Sequence, residues 1–197
     1  MKKLSAFVMM FSLATGLIAG EMSVDKSHTN VGFQVTHMVI TKVNGQFNDY
    51  DVQFTFDPKN LETFKVEATI KVASVDTDNE KRDEHLRSAD FFDAEKYPDM
   101  VFKSTKAVKT EEGYTAIGTL TMKDVTREVE LPFTLTGPVK GPWGNTRYGI
   151  AAKTTINRKD FNVLWNKTMD AGGLVVSDDV DIIINAQFMA TNELSKK

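Results

Sequence analysis

Hydrophobic and polar residues alternate with a period of two along most of the chain. The clearest case is TFKVEATIKV, residues 63–72, in which every second residue is apolar and the others are Thr, Lys or Glu. Successive side chains of a β-strand point to opposite faces, so this pattern predicts a strand with one face toward a core and one toward water.

Similar alternation marks seven further segments. Turn signals separate them at Asn44-Gly45, Asp57-Pro58 and Glu112-Gly113, and Pro132 inside one segment predicts a strand that is an edge, bent or bulged. Eight strands without long helices between them are typical of an all-β sandwich or barrel, and alternation alone leaves the choice open. The predicted strands cover residues 29–35, 50–57, 63–72, 100–108, 114–122, 127–135, 147–156 and 179–188.

The most highly charged segment is KRDEHLRSADFFDAEKYP, residues 81–98. A zinc site at His85 would need further well-spaced His or Cys ligands, and we expect no metal. The chain carries no nucleophile elbow, phosphate loop or dinucleotide fingerprint. We therefore predict a short helical crossover near residues 78–88, capped by Asp78 or Asn79, whose apolar side includes His85, Leu86 and Phe91-Phe92.

The two ends of the chain differ from the rest. Lys2 and Lys3 precede an uncharged apolar run that ends in small residues, which predicts a signal peptide over 1–20 and export to the periplasm. We expect one domain over residues 21–191 and a flexible tail over 192–197. The sequence has no cysteine, so thiolate catalysis is excluded, and its net charge of −3 without a basic run argues against a nucleic-acid partner. No apolar run is long enough for a membrane-spanning helix.

Four segments resemble the YceI family of exported, lipocalin-like lipid-binding proteins, and they follow one another in the family's order: 24–38, 82–104, 118–132 and 156–161. The resemblance implies an eight-stranded antiparallel lipocalin-like barrel, a long isoprenoid or similar apolar chain as ligand, no other cofactor, and no enzyme activity. Asn162 stands where the family commonly has Gly, so we expect a left-handed backbone conformation there.

The alternation also predicts which side chains face the interior, independently of the resemblance. Small residues in the same phase, Ala68, Ala116, Gly118 and Ala152, would leave room for a ligand chain. The nominated ligand-binding residues are Val31, Phe33, Val35, His37, Phe54, Phe56, Phe64, Val66, Ile70, Leu120, Leu131, Phe133, Ile150, Ile156, Ile182 and Ile184.

Arg158 continues the inward phase of residues 150–156. A buried guanidinium requires partners, and we expect a structural ion pair with Asp83 or Asp90 that closes one end of the barrel. The alternative is that the strand ends before Arg158 and that its side chain lies in water.

Together with these features, the resemblance to the YceI family implies a periplasmic binding or transport protein for a polyisoprenoid or quinone-type lipid. A carrier of fatty acid or fatty amide is the first alternative, and a lipid-modifying enzyme with His37 as base is the second. Outer-membrane barrels also show alternation, but the charged crossover and the Lys196-Lys197 ending argue against one. The strand edge at Pro132 leaves a homodimer possible.

Overall fold

The computed structural model describes residues 21–57, 59–170 and 172–190. The predicted signal peptide (1–20) and the predicted tail (192–197) lie outside the described residues. The described part contains eleven strands and one α-helix. They are β1 (Glu21–Val24), β2 (Asn30–His37), β3 (Thr41–Phe47), β4 (Tyr50–Thr55), β5 (Lys65–Lys71), β6 (Val75–Asp76), α1 (Glu80–Arg87), β7 (Asp99–Lys109), β8 (Tyr114–Met122), β9 (Val125–Lys140), β10 (Thr146–Asn157) and β11 (Val176–Ala190).

Eight of the strands close into an antiparallel barrel in the order β1-β4-β5-β7-β8-β9-β10-β11, because β1 pairs with both β4 and β11. The long strand β11 pairs with β10 along one side and with two different strands along the other. Residues near Phe188 pair with β1, and residues from Val180 to Asn185 pair with β2. Beyond β2 the sheet continues through β3 and β6. The prediction of an eight-stranded antiparallel barrel is confirmed.

All eight predicted strands are present, but the alternation missed β1, β3 and β6. The predicted turn at Asn44-Gly45 is wrong, because both residues lie inside β3, where Gly45 pairs with Phe33. A Cβ atom on Gly45 would lie only 2.3 Å from the Phe33 ring. Glycine stands there because the neighbouring ring occupies the space of a side chain.

The strand that carries Pro132 has an edge at that residue, as predicted. Pairs between β9 and β10 run from Lys140 to Phe133 and end beside Pro132, while β9 stays paired with β8 on its other side. Proline has no N–H to donate to a further pair. The part of β9 from Val125 to Pro132 therefore does not pair with β10.

The predicted helical crossover is also confirmed. The side chain of Asn79 accepts a hydrogen bond from the backbone N–H of Arg82 and begins α1. Asp83 is buried, and its carboxylate accepts hydrogen bonds from the backbone N–H and the hydroxyl of Thr77, at 2.9 and 2.5 Å. These contacts fix the start of the helix to the chain that leaves β6.

The barrel turns apolar side chains inward and polar ones outward. On β5, Ile70 is buried, and Lys65 and Lys71, which lie in the opposite phase of the alternation, are exposed. This arrangement is the reverse of outer-membrane barrels, whose lipid-facing side chains are apolar. Among the described residues, no helix is long and apolar enough to cross a membrane.

Candidate functional site: an apolar cavity inside the barrel

A cavity of about 250 Å³ runs through the barrel, and the atoms that face its open space are all apolar. Along the regularly paired part of β11 the lining runs from Val180 to Phe188, which is roughly 26 Å of strand at about 3.3 Å per residue. An apolar cavity of about 150 Å³ is already enough to stay dry and to bind benzene. The space inside this barrel therefore suits a longer apolar molecule.

Fourteen of the sixteen nominated residues line the cavity: Val31, Phe33, Val35, Phe54, Phe64, Val66, Ile70, Leu120, Leu131, Phe133, Ile150, Ile156, Ile182 and Ile184. Of the four small residues, Ala68, Ala116 and Ala152 line it as well. Gly118 does not, because β7 bulges toward it and a Cβ atom there would lie 2.4 Å from the carbonyl oxygen of Lys103.

Two nominated residues, His37 and Phe56, lie outside the cavity lining. His37 is the last residue of β2 and pairs with Val176, beyond an irregularity in β11 between Val176 and Val180. Phe56 follows the end of β4 and is buried among other aromatic rings. For Phe56 the alternation was extended past the end of β4, and for His37 it was extended past the regular pairing of β2 with β11.

One end of the cavity is closed by an aromatic floor, which we define as Phe54, Phe56, Phe64, Tyr114, Phe133 and Phe188. Phe54 and Phe188 approach to 4.6 Å between ring centroids, and Phe64 stacks on Phe133 at 5.7 Å. Tilted and edge-to-face pairs of this kind add to the stability that burial of the rings supplies. The floor is solidly packed.

The opposite end, which we call the helix end, is covered more loosely. Leu86 of α1 and the following Phe91 and Phe92 line the cavity there, and Leu86 and Phe92 are only half-buried. The ring of His85 stands edge-on to Phe91 and to Trp165, at centroid distances of 5.0 and 4.9 Å. The predicted apolar side of the crossover is thus confirmed.

Residues 158–165 cross the helix end as a strap between the ends of β10 and β11. Arg158 begins the strap and is 4% exposed. Its guanidinium donates hydrogen bonds to the carbonyl oxygens of Ser177, Val163 and Trp165 at 2.9, 2.7 and 2.8 Å. It also lies 3.3 Å from the carboxylate of Asp178. Burial lowers the pKa of Arg158, and the Asp178 charge opposes that shift.

The predicted ion pair of Arg158 with Asp83 or Asp90 is therefore wrong. Asp83 is engaged with Thr77, and Asp90 lies 3.0 Å from Nε2 of His85. The expectation that Arg158 is buried and needs partners is correct, although the strand does end at Asn157 as in the alternative. Three of its four acceptors are backbone carbonyls, which have no signature in a sequence.

Lys123 joins the two parts of the helix end. Its ammonium group donates to the carbonyl oxygens of Phe91 and Asn162, at 2.9 and 3.0 Å. Asn162 has the predicted left-handed backbone, with φ 58° and ψ 26°, and its amide donates to the carboxylate of Asp124. The turn between β8 and β9 therefore holds both the strap and the segment after α1.

Sequence reasoning missed several lining residues. Met100 and Phe102 lie in the predicted strand 100–108 and are in its alternating phase, so the pattern could have nominated them. Val163 in the strap and Val176 at the start of β11 have no comparable signal, because irregular backbone places them.

The described residues bring together no group of three His, Asp or Glu side chains that could hold a metal ion. His37, the nominated base of a lipid-modifying enzyme, does not line the cavity. What the site offers chemically is burial of apolar surface.

A closed barrel with an apolar cavity and a helix over one end places the protein in the class of lipid-binding β-barrels. The model of the YceI-like domain matches residues 22–188, and the chain belongs to the YceI family. A UPF0312 protein of Yersinia enterocolitica is 39% identical over 186 residues, which cover 93% of both chains. A UPF0312 protein of Pectobacterium carotovorum is 41% identical over 179 residues, covering 90% of both.

Solved structures show the same fold. BcnA of Burkholderia cenocepacia matches with a TM-score of 0.74 and 25% identity, over 84% of this chain and 99% of that one. A Campylobacter jejuni YceI protein matches with a TM-score of 0.67 and 38% identity, over 85% and 96%. A domain from Saccharophagus degradans described as polyisoprenoid binding matches with a TM-score of 0.62 and 13% identity, over 87% and 99%, which shows the fold alone.

Proposed function

We propose that this protein is an exported, periplasmic carrier that holds a long, uncharged apolar chain, such as a polyisoprenoid or the tail of a quinone-type lipid, inside its barrel. The observation that carries the proposal is the cavity, whose accessible wall is apolar from the aromatic floor to the helix end. Each buried methylene contributes about 0.8 kcal/mol, and ordering of the chain offsets part of that gain.

The charges around the cavity favour an uncharged ligand over a fatty acid. A carboxylate inside the barrel would need a cation or hydrogen-bond donors. Arg158 borders the cavity, but four of its five N–H groups already donate within the protein. A charged head group would therefore remain at the helix end, in contact with water, and only the chain would enter.

The likeness to the Saccharophagus degradans domain agrees with this ligand class but does not carry it. Polyisoprenoid binding is a property of that domain, and in this chain the ligand class is supported by the apolar wall of the cavity. An enzyme that modifies the lipid would need a base inside the cavity, and the nominated His37 lies outside it.

Two neighbouring alanines on β10 provide a matched test. Ala152 is buried and lines the cavity, and Ala151 is exposed on the outer face. The protein is stripped of bound lipid and titrated with a fluorescent polyprenol or with palmitate. We expect Ala152→Leu to weaken polyprenol binding by about tenfold or more, because the leucine side chain would occupy cavity space that the ligand needs. Ala151→Leu should bind polyprenol like the parent.

Tighter binding of palmitate than of the polyprenol by the parent would favour the fatty-acid alternative. Failure of the parent to take up either chain would overturn the proposal.

A further inference from the structure

The hairpin between β2 and β3 ends in three consecutive large apolar residues that face water. Met38, Val39 and Ile40 are 42%, 71% and 78% exposed, and we call them the hairpin tip. Single exposed apolar residues are ordinary, but a contiguous group on a projecting turn marks a surface that contacts something apolar.

The hairpin tip adjoins the helix end of the cavity. His37, the residue before it, pairs with Val176, which lines the cavity, and the N–H of Met38 donates to the carbonyl oxygen of Val175 at 2.8 Å. Ser177, one residue further, accepts a hydrogen bond from Arg158 of the strap. In the strap itself, Leu164 is also exposed. Apolar groups therefore surround the more loosely covered end of the barrel.

The backbone of the hairpin tip is held in an unfavourable conformation. Met38 and Val39 both have positive φ angles, 51° and 65°. Gly, Asn or Asp normally occupies such positions in a tight hairpin, and a β-branched residue with positive φ is an outlier. The turn thus holds two apolar side chains outward at positions where small polar residues would cost less.

We propose that the hairpin tip docks the helix end of the barrel onto a lipid bilayer, so that an apolar chain passes between membrane and cavity without crossing open water. This inference rests on the proposed function, because it assumes a ligand that resides in membranes. Shallow insertion of a few apolar side chains at the bilayer interface is enough for reversible binding.

A lipid surface fits the size of the hairpin tip better than a second copy of the chain does. A stable protein interface uses about 20–30 residues on each side. The tip is a convex turn of three residues, which can enter a bilayer but offers little area to a folded partner. Trp143, an exposed aromatic residue, lies far from the hairpin tip, in the turn between β9 and β10 at the end of the barrel that carries the aromatic floor.

Charges near the hairpin tip are of both signs. Lys42 lies 3.9 Å from the carboxylate of Asp181, and the exposed Lys167 and Asp170 lie in the loop that follows the strap. These charges give no strong attraction to anionic lipid, so we expect docking onto zwitterionic membranes and little dependence on salt.

The test is flotation with phosphatidylcholine vesicles that contain no candidate ligand. The full chain as exported is compared with the double variant Val39→Ser and Ile40→Ser, and with Trp143→Ser as a control that removes an exposed apolar side chain at the opposite end. We expect the parent and Trp143→Ser to float alike, and the double variant to partition at least about tenfold less. Uptake of detergent-solubilised polyprenol should stay at the parent's level in both variants, which shows that they fold.

Equal flotation of all three proteins, or flotation of none, would overturn the proposal. So would a parent that sediments as a dimer and a double variant that sediments as a monomer, because the tip would then bind a second copy. A parent that takes up polyprenol but does not float leaves the proposed function intact and refutes the docking. A parent that floats but takes up no apolar chain refutes the proposed function and the passage of a chain that rests on it, while the docking of the hairpin tip itself stands.

Discussion

Arg158 and Asp178 form an ion pair in which only one partner is buried. Their side chains are 5% and 28% exposed, and Nη2 of Arg158 lies 3.3 Å from Oδ1 of Asp178. The other oxygen of the same carboxylate binds Lys159 at 2.8 Å, and that side chain is 43% exposed. Two adjacent cations thus share one acid but differ in burial, so their contributions to stability should differ.

We predict that Arg158→Met destabilises the protein by about 2–4 kcal/mol, since three carbonyl groups lose their donor along with the ion pair. For a chain of this size the melting temperature should fall by about 5–10 °C. Lys159→Met is the control, because an exposed pair contributes about 0–1 kcal/mol. Thermal unfolding followed by circular dichroism measures both. Equal melting temperatures for the two variants would show that the strap does not depend on Arg158.

A second prediction concerns acid. Asp25 follows β1 and links it to β10 and β11, because its carboxylate lies 3.2 Å from Arg147 and accepts a hydrogen bond from Gln187 at 2.9 Å. Its pKa is lowered from 3.8 to about 2, chiefly by the hydrogen bond from the Ser27 hydroxyl and also by His28. A carboxyl group with a depressed folded-state pKa contributes its full stability above its unfolded pKa, near pH 4, and loses it as the pH falls toward 2.

Asp25→Asn should therefore cost roughly 1–2 kcal/mol at neutral pH, after allowance for screening by solvent, and much less near pH 2. Melting temperatures measured from pH 7 to pH 2 test this. Glu130→Gln, which changes an exposed carboxylate of β9, is the control and should follow the parent throughout. A constant gap between Asp25→Asn and the parent down to pH 2 would contradict the assigned pKa.

A third prediction concerns the close contact between Gly45 and Phe33. In Gly45→Ala the new methyl group would meet both the Phe33 ring and the Thr77 methyl group, at 2.3 and 2.8 Å, so the ring must move toward the cavity that it lines. We expect a loss of about 1–3 kcal/mol and weaker binding of a long chain.

Gly149→Ala is the matched control for this change, because the nearest atom to a Cβ at Gly149 is 3.8 Å away. Urea unfolding together with polyprenol titration measures both effects. Unchanged stability and unchanged binding in Gly45→Ala would show that the ring is not held as described.

Alternation predicted the eight strands and their inward faces because it reports directly which side of a strand is buried, whereas closure into a barrel was implied by the resemblance to the YceI family. Phe33, Val66 and Ile182 were assigned to the cavity on that basis, and the structure places them there. Alternation fails where the backbone is irregular. It predicted that the inward face continues to His37, although the pairing with β11 is irregular there. The pair Asn44-Gly45 predicted a turn, but the glycine is needed because the Phe33 ring, on another strand, occupies the space of a side chain.

The partners of Arg158 could not be predicted for a different reason. The charged crossover offered conspicuous carboxylates, but the guanidinium is held mainly by the carbonyl groups of Val163, Trp165 and Ser177. Every residue carries a carbonyl group, so composition and spacing cannot distinguish those that accept. The course of the strap, which positions them, depends on the folded barrel.

The proposed function requires that an apolar chain fill the cavity inside the barrel. Native mass spectrometry of the protein purified without detergent can detect such a chain, with extraction of the bound molecule and its identification by fragmentation. We expect a noncovalent complex whose added mass is that of an uncharged long-chain lipid, lost after solvent extraction and restored by adding the lipid back. A protein that always carries its unliganded mass, and that gains none when polyprenol or quinone is supplied, would show that the barrel does not hold an apolar chain.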